Sequence, residues 1–371
     1  MKTQVLLPLI LTTWLLVYVP TIQAVPLGKT HSPVSKADAS NSTLPPLIPN
    51  RVAPASVIPS FNMSMEQMIS ESNGPLPNGT AKVGPWALDL PKNDTSVTTF
   101  GSNAGVTQAS TSQVDDAYLR AELAADAYCK SVVPLNIWVC PHCQSAVSDA
   151  KIETSFTTLA ADTNGYIITS ASQKMIFVVF RGTNSIRSAI VDMNFVKTDY
   201  TPVGNGAQVH AGFLQSYLEV QDKVITEVSN LVSQYPDYGI QYTGHSLGAA
   251  QAVLGAMDAY QRIKQISSSN LKIHTYGEPR VGNKQFAAYV KSTNVSKVRA
   301  VHASDLVPHL PPMNMGFLHS GTEYWIRDND SKLTDICQAD FESASCSNTA
   351  VPFLSITDHL SYYNINEGLC L

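Results

Sequence analysis

The 371-residue sequence is poor in charged residues and has no basic surplus. It contains 24 Lys and Arg against 29 Asp and Glu, so charged residues make up 14% of the chain, compared with roughly 25% in an average globular protein. Nucleic acid is excluded as the main partner, because phosphate neutralisation needs clustered Lys and Arg. The sequence also lacks an internal repeat, a collagen or coiled-coil period and a second long apolar run. These absences exclude fibrous and multi-pass membrane proteins.

Residues 1–24 have the layout of a secretory signal peptide. Lys2 supplies a positive start, residues 5–19 form an apolar run interrupted by Pro8, and Ala24 ends a short cleavage-type segment. The apolar run is too short to prefer a membrane-spanning role, and no stop-transfer pattern follows it. We therefore expect an exported, extracellular protein with no stable membrane insertion.

Residues 25–100 have no cysteine but contain eleven of the 22 prolines. Such low-periodicity sequence cannot bury enough apolar surface to offset its ordering entropy. Four glycosylation sequons lie in this segment and two lie beyond it: Asn41, Asn62, Asn78, Asn93, Asn294 and Asn329. The segment is a stalk or a removable propeptide, and the second interpretation is preferred because nothing folded precedes it. We predict a propeptide at 25–100 and one catalytic domain at 101–371.

All six cysteines follow that boundary, at Cys129, Cys140, Cys143, Cys337, Cys346 and Cys370. An even number behind a signal peptide predicts three disulfides, although spacing alone leaves the pairing open. A zinc site at residues 140–143 is disfavoured, because no second Cys/His pair at ligand spacing accompanies it.

Strands and helices alternate through the second part of the chain. The predicted strands are 174–180, 238–243, 271–276, 298–302 and 323–327, and the predicted helices are 112–130, 213–234 and 247–262. The run at 174–180 is apolar throughout, as in a strand buried on both faces. We predict an α/β-hydrolase-like single domain with a central, mostly parallel sheet.

The predicted catalytic motif is Gly244-His245-Ser246-Leu247-Gly248, with Ser246 as the nucleophile. It follows a predicted strand and opens a predicted helix, which is the setting of a nucleophile elbow. An ordinary strand-to-helix turn would not require two glycines followed by two alanines. The helix start also directs backbone N–H groups at an oxyanion beside Ser246.

A serine nucleophile needs a histidine base and an acid that orients it, in the chain order Ser, acid, His. Asp305 directly follows the strand at 298–302 and is the predicted acid. The rival acids, Asp258, Asp328, Asp330, Asp335 and Asp340, are interpreted as solvated surface charges. Of the downstream histidines His309, His319 and His359, only His359 follows the last predicted strand, so it is the predicted base. Asp358 is rejected as the acid because adjacent residues rarely face each other.

The second oxyanion donor is predicted at Thr183, which ends the strand at 174–180, with the Leu247 N–H as the first. A short segment beyond Thr183 has one apolar stripe at Ile186, Ala189, Ile190 and Met193. An ordinary core helix has the same pattern, but the place of this segment beside the oxyanion loop favours a mobile lid. The predicted lid residues are Ser185, Ile186, Arg187, Ala189, Ile190, Asp192 and Met193.

In these residues and their order, the chain resembles the secreted fungal class 3 triacylglycerol lipases of the Rhizomucor and Rhizopus type. Beyond the elbow, the blocks that carry the resemblance over residues 105–371 are Phe180–Ser185, Val209–Leu214, Pro279–Asn283, Asp305–Pro312 and Asp358–Tyr363. The resemblance implies the triad Ser246, Asp305 and His359, the oxyanion residues Thr183 and Leu247, and a lid at 185–193. It also implies disulfides Cys129–Cys370, Cys140–Cys143 and Cys337–Cys346, and no metal or cofactor.

Two positions depart from the family pattern. Ala249 stands where the similar lipases carry a second glycine, and Ala189 stands where some of them place tryptophan. The second difference is expected to weaken anchoring to lipid and to shift chain-length preference.

The predicted function is therefore hydrolysis of triacylglycerol esters at a lipid–water interface by a monomeric enzyme. A feruloyl or other carboxylic-ester esterase is the first alternative, and the apolar stripe at Ile186 and Ile190 argues against it. A non-catalytic binding protein is the second alternative, and labelling by a fluorophosphonate distinguishes a serine hydrolase from it.

Overall fold

The computed structural model describes residues 44–51, 80–83, 86–89, 105–183, 194–327 and most of 333–370. Within the last range the described residues are 333–337, 339, 341–343, 345–350 and 354–370. The chain divides into the units Met1–Ser42 and Thr43–Leu371. Every element below belongs to the second unit.

The strands of the described residues are β1 Thr80–Val83, β2 Trp86–Asp89, β3 Val106–Gln108, β4 Lys151–Thr157, β5 Asn164–Ser170, β6 Met175–Arg181, β7 Lys197–Asp199, β8 Gln208–His210, β9 Gly239–His245, β10 Leu271–Tyr276, β11 Gly282–Asn283, β12 Ser296–His302, β13 Phe317–Leu318, β14 Thr322–Ile326, β15 Thr334–Cys337, β16 Ser361–Tyr362 and β17 Ile365–Asn366. The α-helices are α1 Thr111–Asp126, α2 Cys143–Ala146, α3 Ala211–Leu218, α4 Gln221–Gln234, α5 Leu247–Arg262 and α6 Lys284–Ser292. Short 3-10 turns occupy Pro49–Arg51, Val307–His309, Met313–Met315, Ser347–Ala350 and Asp358–Leu360.

A nine-stranded sheet with the order β3-β15-β14-β12-β10-β9-β6-β5-β4 forms the centre of the domain. Its five middle strands, from β14 to β6, run parallel. Antiparallel strands extend it on both sides. The predicted α/β fold with a parallel central sheet is confirmed, and the antiparallel strands at its two edges were not predicted.

The side chains of β6 alternate between two apolar layers, as a strand with period two requires. Ile176, Val178 and Phe180 belong to the core cluster that includes α5. Phe177 and Val179 belong to a different cluster, which includes α1 residues. The continuous apolar run predicted from the sequence is therefore a strand with both faces covered, and α1 and α5 lie on opposite sides of the sheet.

The predicted helix at 213–234 consists of two helices, α3 and α4, separated at Glu219 and Val220. The Glu219 carboxylate accepts hydrogen bonds from the Thr158 hydroxyl at 2.5 Å and the Ala161 N–H at 3.2 Å. These partners lie in the connection between β4 and β5. The apolar spacing therefore indicated both helices, but the break between them coincides with a tertiary contact that periodicity does not report.

Three disulfides join Cys129 to Cys370, Cys140 to Cys143 and Cys337 to Cys346. These are the pairs that the family resemblance implied. Because the thiols of residues 140 and 143 are bonded to each other, they are not available as zinc ligands. No helix in the part of the chain that the structure describes is both long and apolar enough to cross a membrane.

Candidate active site

Ser246 occupies a strained turn between β9 and α5. Its backbone has φ 58° and ψ −128°, outside the regions that residues with a side chain prefer. Its N–H donates to the Tyr276 carbonyl at 2.9 Å, which fixes the turn to the neighbouring strand β10. A non-glycine residue held in such a conformation is typical of functional sites, where the surrounding structure supports the strain.

The glycines around Ser246 are required by close backbone contacts. A Cβ atom on Gly244 would lie 2.5 Å from the Gly248 carbonyl oxygen, and one on Gly248 would collide with the Phe180 carbonyl. Gly182 faces the nucleophile itself, since a Cβ there would lie 3.0 Å from Ser246 Cβ. The small residues therefore let the end of β6 and the start of α5 approach the serine closely.

The structure brings His359 and Asp305 together, although 54 residues separate them in the chain. His359 Nδ1 lies 2.8 Å from Asp305 Oδ2, and both side chains are fully buried. Because an ionised carboxylate only accepts hydrogen bonds, Nδ1 carries the proton and Nε2 is left as the basic nitrogen. Nε2 has no hydrogen-bond partner among the described residues, so the Ser246–His359 hydrogen bond is not formed in this structure. Hydrogen bonds of this kind are often long in enzymes without substrate.

Asp305 is held by two further donors. The Val307 N–H donates to its Oδ1 at 2.8 Å, and the Tyr362 hydroxyl donates to Oδ2. Burial, together with the Asp305 charge, raises the pKa of Tyr362, so the phenol stays protonated and remains a donor. Gly277, with φ 56°, lies behind the pair: a Cβ there would be 2.5 Å from His359 Cε1.

His245, the residue before the nucleophile, contacts His359 directly. Its Nε2 lies 2.8 Å from the His359 carbonyl oxygen, and the two rings are 4.4 Å apart. Its Nδ1 accepts from the Tyr128 hydroxyl at 2.9 Å. Burial lowers the pKa of His245, so the ring is neutral, with its proton on Nε2. His245 therefore links the nucleophile turn to the backbone of the histidine loop.

The ends of β6 and β9 lead to the same turn. Phe180 of β6 pairs with Gly244 of β9 in a parallel ladder, and a Cβ atom on Gly182 would lie 3.0 Å from Ser246 Cβ, so the chain that leads to Thr183 passes beside the nucleophile. Leu247 begins α5, and the first N–H groups of a helix have no intrahelical partner. The geometry can thus direct donors at an oxyanion beside Ser246. Residues 185–193, the predicted lid, lie outside the described residues.

The rejected candidates have other partners. Asp358 accepts from the Ser304 N–H at 3.0 Å and the Ser355 hydroxyl at 2.9 Å, so it faces away from His359. The interpretation of Asp258 as a solvated charge was wrong. It is buried and accepts from the Tyr217 hydroxyl at 2.8 Å and from Arg262 at 2.7 Å. Asp335 is likewise buried.

The loop after Asp305 is braced by a buried ion pair. Arg280 contacts Glu342 through two 2.7 Å hydrogen bonds. The same guanidinium donates to the carbonyls of His309 and Pro311 at 2.6 and 3.1 Å. Burial opposes ionisation, but the Arg280 charge holds the pKa of Glu342 well below its ordinary value. His309, a candidate base, therefore belongs to the support of the Asp305 loop.

Two tyrosines of the site were not predicted from the sequence. Tyr362 lies three residues after His359, inside a block that carried the family resemblance, and this proximity was the available signal. Tyr128 reaches His245 from the end of α1, 117 residues away. No local pattern indicates that contact.

Comparison with known proteins agrees with this geometry. The model of the family "Lipase (class 3)" matches residues 177–315. A lipase of Rhizopus niveus is 47% identical over 363 residues, covering 93% of this chain and 92% of the relative. A Rhizomucor miehei lipase propeptide complex has a TM-score of 0.75 at 42% identity, covering 89% of this chain and all of that one. A triacylglycerol lipase whose catalytic centre is described as a serine protease triad has a TM-score of 0.70 at 47% identity, with 72% of this chain and all of that one covered.

A strained serine between a parallel strand and a helix, beside a buried histidine–carboxylate pair, defines a hydrolase of the α/β type. The chain belongs to the class 3 lipase family. It is a lipase, an enzyme that hydrolyses carboxylic ester bonds.

Proposed function

We propose that the chain hydrolyses triacylglycerols through an acyl-enzyme formed on Ser246. His359 Nε2 takes the hydroxyl proton as Ser246 Oγ attacks the ester carbonyl, and the N–H groups of Thr183 and Leu247 stabilise the oxyanion. The tetrahedral intermediate collapses, and the proton on His359 passes to the departing diacylglycerol oxygen. Water then attacks the acyl-enzyme with His359 again as base, which releases the fatty acid and restores Ser246.

The observation that carries this proposal is the 2.8 Å contact between His359 and Asp305 at the elbow edge of the sheet. The contact fixes the tautomer in which Nε2 is free to accept the serine proton. The triad described for the similar triacylglycerol lipase supports the same assignment. The close approach of Gly182 to Ser246, where a Cβ atom on the glycine would lie 3.0 Å from Ser246 Cβ, supports it as well.

The lid and the leader are part of the proposal. The apolar stripe at 186–193 covers Ser246 in water and binds the lipid surface when it opens. Residues 1–24 direct export and residues 25–100 are removed. Comparing hydrolysis of an ester below and above its solubility limit tests the lid, because an enzyme without one shows no jump in rate at the interface.

Replacing Ser246 tests the nucleophile. We expect Ser246→Ala to lower tributyrin hydrolysis by at least about 10⁴-fold, because the base then has no nucleophile to activate. Thermal unfolding should show an intact fold. Ser233→Ala is the matched control: Ser233 is exposed on α4, donates to the Ser229 carbonyl and accepts from the Gln265 amide.

If Ser246→Ala retains appreciable activity, the nucleophile is assigned wrongly. A substrate panel of triacylglycerols and methyl ferulate separates the proposed substrate class from the esterase alternative. Faster turnover of the ferulate would reject the triacylglycerol proposal while leaving the triad in place.

A further inference from the structure

The C-x-x-C sequence at residues 140–143 closes a disulfide in a turn at the surface of the domain. Cys140 is partly exposed, whereas Cys143 is fully buried. Pro141 between them is exposed. Thiol–disulfide exchange depends on access to the sulfur that is attacked. A thiol that approaches from solvent therefore meets Cys140 first.

The two other disulfides differ from this one. Cys337 and Cys346 are both buried, and the buried Cys129 is joined to the exposed Cys370 over 241 residues. Thiols in C-x-x-C sequences are better leaving groups than ordinary thiols, because this spacing lowers the pKa of one of them. A disulfide that closes so short a loop also adds little stability through chain entropy. Reduction of Cys140–Cys143 should therefore be fast and should leave the domain folded.

A buried carboxyl group lies beside Cys140. An Asp126 oxygen, Cys129 Sγ and Cys140 Sγ all lie within 4.8 Å of one another. Asp126 is fully buried at the end of α1, and neither of its oxygens makes a hydrogen bond of normal geometry to a described residue, although the His142 N–H faces the group. Because both sulfurs are bonded in disulfides, they offer no thiolate to a metal. A buried, unpaired carboxyl group next to a reachable disulfide calls for another explanation.

The surroundings of Asp126 favour its protonated form. Glu122 on the same helix, Glu367 after β17 and Tyr166 of β5 face it, and none of them carries a positive charge. The nearby His142 Nδ1 lies 3.6 Å from Glu122 Oε1. Burial, with the Glu122 charge added, raises the pKa of Asp126 to about 8. At neutral pH Asp126 is therefore an uncharged acid with a proton to give.

We propose that the Cys140–Cys143 disulfide is a thiol-exchange site opened by an external dithiol, with Asp126 as the proton donor to the departing Cys140 sulfur. One thiol of the reagent loses its proton to water and attacks Cys140 Sγ. A mixed disulfide forms, the bond between the two protein sulfurs breaks, and the Cys143 thiolate leaves and takes a proton from solvent.

The second thiol of the reagent completes the exchange. It loses its proton to water and attacks the reagent's own sulfur in the mixed disulfide. That disulfide bond breaks, and Cys140 leaves with its electron pair and takes the proton of Asp126, which solvent then restores. The dithiol is oxidised to a disulfide, and the protein gains two electrons and two protons. In the opposite direction, ionised Asp126 accepts the Cys140 proton.

The test measures which disulfide opens first in the full, folded chain. The protein is incubated with a limiting amount of dithiothreitol at pH 7, and free thiols are trapped with N-ethylmaleimide and located by peptide mass spectrometry. Label should appear at Cys140 and Cys143 at least about 10-fold faster than at the other four cysteines, because access and leaving-group pKa set the rate. Circular dichroism should show a folded domain at that stage.

Replacing Asp126 tests the proton donor. Asp126→Asn should slow this labelling at pH 7 by about 10-fold, less than the 10²–10⁴ of a full general acid, because a thiolate also leaves without a proton. The advantage of the wild type should disappear as the pH rises past about 8, where Asp126 has lost its own proton. Asp115→Asn is the matched control, since it removes a carboxylate from an exposed position of the same helix. It should react like the wild type.

A second arm replaces dithiothreitol with thioredoxin at equal dithiol concentration. Faster exchange with thioredoxin assigns the site to a protein dithiol, faster exchange with dithiothreitol assigns it to a small one, and both results agree with the proposal. Label that appears as early at either of the other two disulfides would overturn it. An equal rate in wild type and Asp126→Asn, or a rate ratio that is constant from pH 6 to 9, would do the same.

The wild type alone keeps the proposal testable if Asp126→Asn does not fold. Its rate is then divided by the rate at which dithiothreitol reduces oxidised glutathione, which cancels the ionisation of the reagent. The quotient should fall above about pH 8, because ionised Asp126 no longer donates. A quotient that does not change with pH would overturn the role of Asp126.

Discussion

Asp305→Asn changes one atom of the buried pair and forces a choice between two incompatible arrangements. The carboxylate accepts from Val307 on Oδ1 and from His359 and Tyr362 on Oδ2. If the amide oxygen replaces Oδ1, the NH₂ group faces His359, whose Nδ1 must then accept. The imidazole proton moves to Nε2, and the ring cannot act as base. If the oxygen replaces Oδ2, the NH₂ group meets the Val307 N–H and two buried donors oppose each other.

The two arrangements differ in free energy. The second arrangement leaves a buried donor unpaired, which costs about 1–3 kcal/mol of stability. In the first arrangement both the oxygen and the NH₂ group of the new amide at position 305 face a partner, since the Tyr362 hydroxyl can turn to accept. The wrong tautomer should therefore prevail. In serine hydrolases with this triad it lowers kcat about 10⁴-fold, equivalent to roughly 5.5 kcal/mol of transition-state stabilisation. We expect that loss with little change in Tm.

The assay is kcat on a water-soluble butyrate ester at pH 8, with Tm measured on the same preparations. Asp358→Asn is the control, because its amide can accept from Ser304 and donate to Ser355, preserving both contacts. It should lose far less activity. Retention of more than about a tenth of the wild-type kcat by Asp305→Asn, against the expected 10⁴-fold loss, would refute the role given to Asp305. An equal loss in Asp358→Asn would show that general disruption of the loop explains the effect.

Two further substitutions probe the surroundings of the site. Gly277→Ala should lower both kcat and Tm because its methyl group would meet His359 Cε1 at 2.5 Å; Gly204→Ala, also at positive φ but in open space, should lower Tm alone. Asp126→Asn should raise Tm relative to wild type by an amount that grows between pH 5 and 8. Burial raises the pKa of Asp126 to about 8, and burial and Asp126 raise that of Glu367. The unfolded Asp126 ionises near pH 4, so the wild type loses stability as pH rises through this window.

For each of these substitutions, one result would contradict the prediction. Equal kcat in Gly277→Ala and Gly204→Ala would show that the backbone at 277 does not constrain the imidazole. A Tm difference between Asp126→Asn and wild type that is constant from pH 5 to 8 would contradict proton retention by the buried Asp126 carboxyl group. The kcat values are measured on the water-soluble butyrate ester, and the Tm values by calorimetry and circular dichroism.

The local sequence predicted the exact limits of some elements and missed other elements altogether. The helix at 247–262 and the strand at 271–276 agree residue for residue with α5 and β10. The helix is Ala-rich and begins at the elbow glycines, and the strand begins directly after the polar run Ser267–Asn270, so the limits of both are encoded locally. The hairpin β4–β5 was missed because its Thr- and Ser-rich sequence lacks clear alternation. Its strands extend the sheet by pairing with β6, which is a non-local contact.

Some residues of the site could likewise be predicted from the sequence, and others could not. Ser246, Asp305 and His359 could be selected from chain order and strand ends, because the carboxyl edge of a parallel sheet collects the residues that follow its strands. The contact of Tyr128 with His245 and that of Arg51 with the Tyr260 carbonyl at the end of α5 could not be predicted, since 117 and more than 200 residues separate the partners. Contacts over such separations depend on the assembled layers, and a single sequence contains no local record of them.

The Cys129–Cys370 bond makes the catalytic domain a covalent ring. It joins positions 241 residues apart, and Ser246, Asp305 and His359 all lie within the enclosed chain. A single cut by a protease in any loop between these cysteines opens the ring but releases no fragment, because the disulfide still joins the two pieces. An enzyme nicked once can therefore keep all three groups on one molecule, and two cuts are needed before any part of the site can diffuse away.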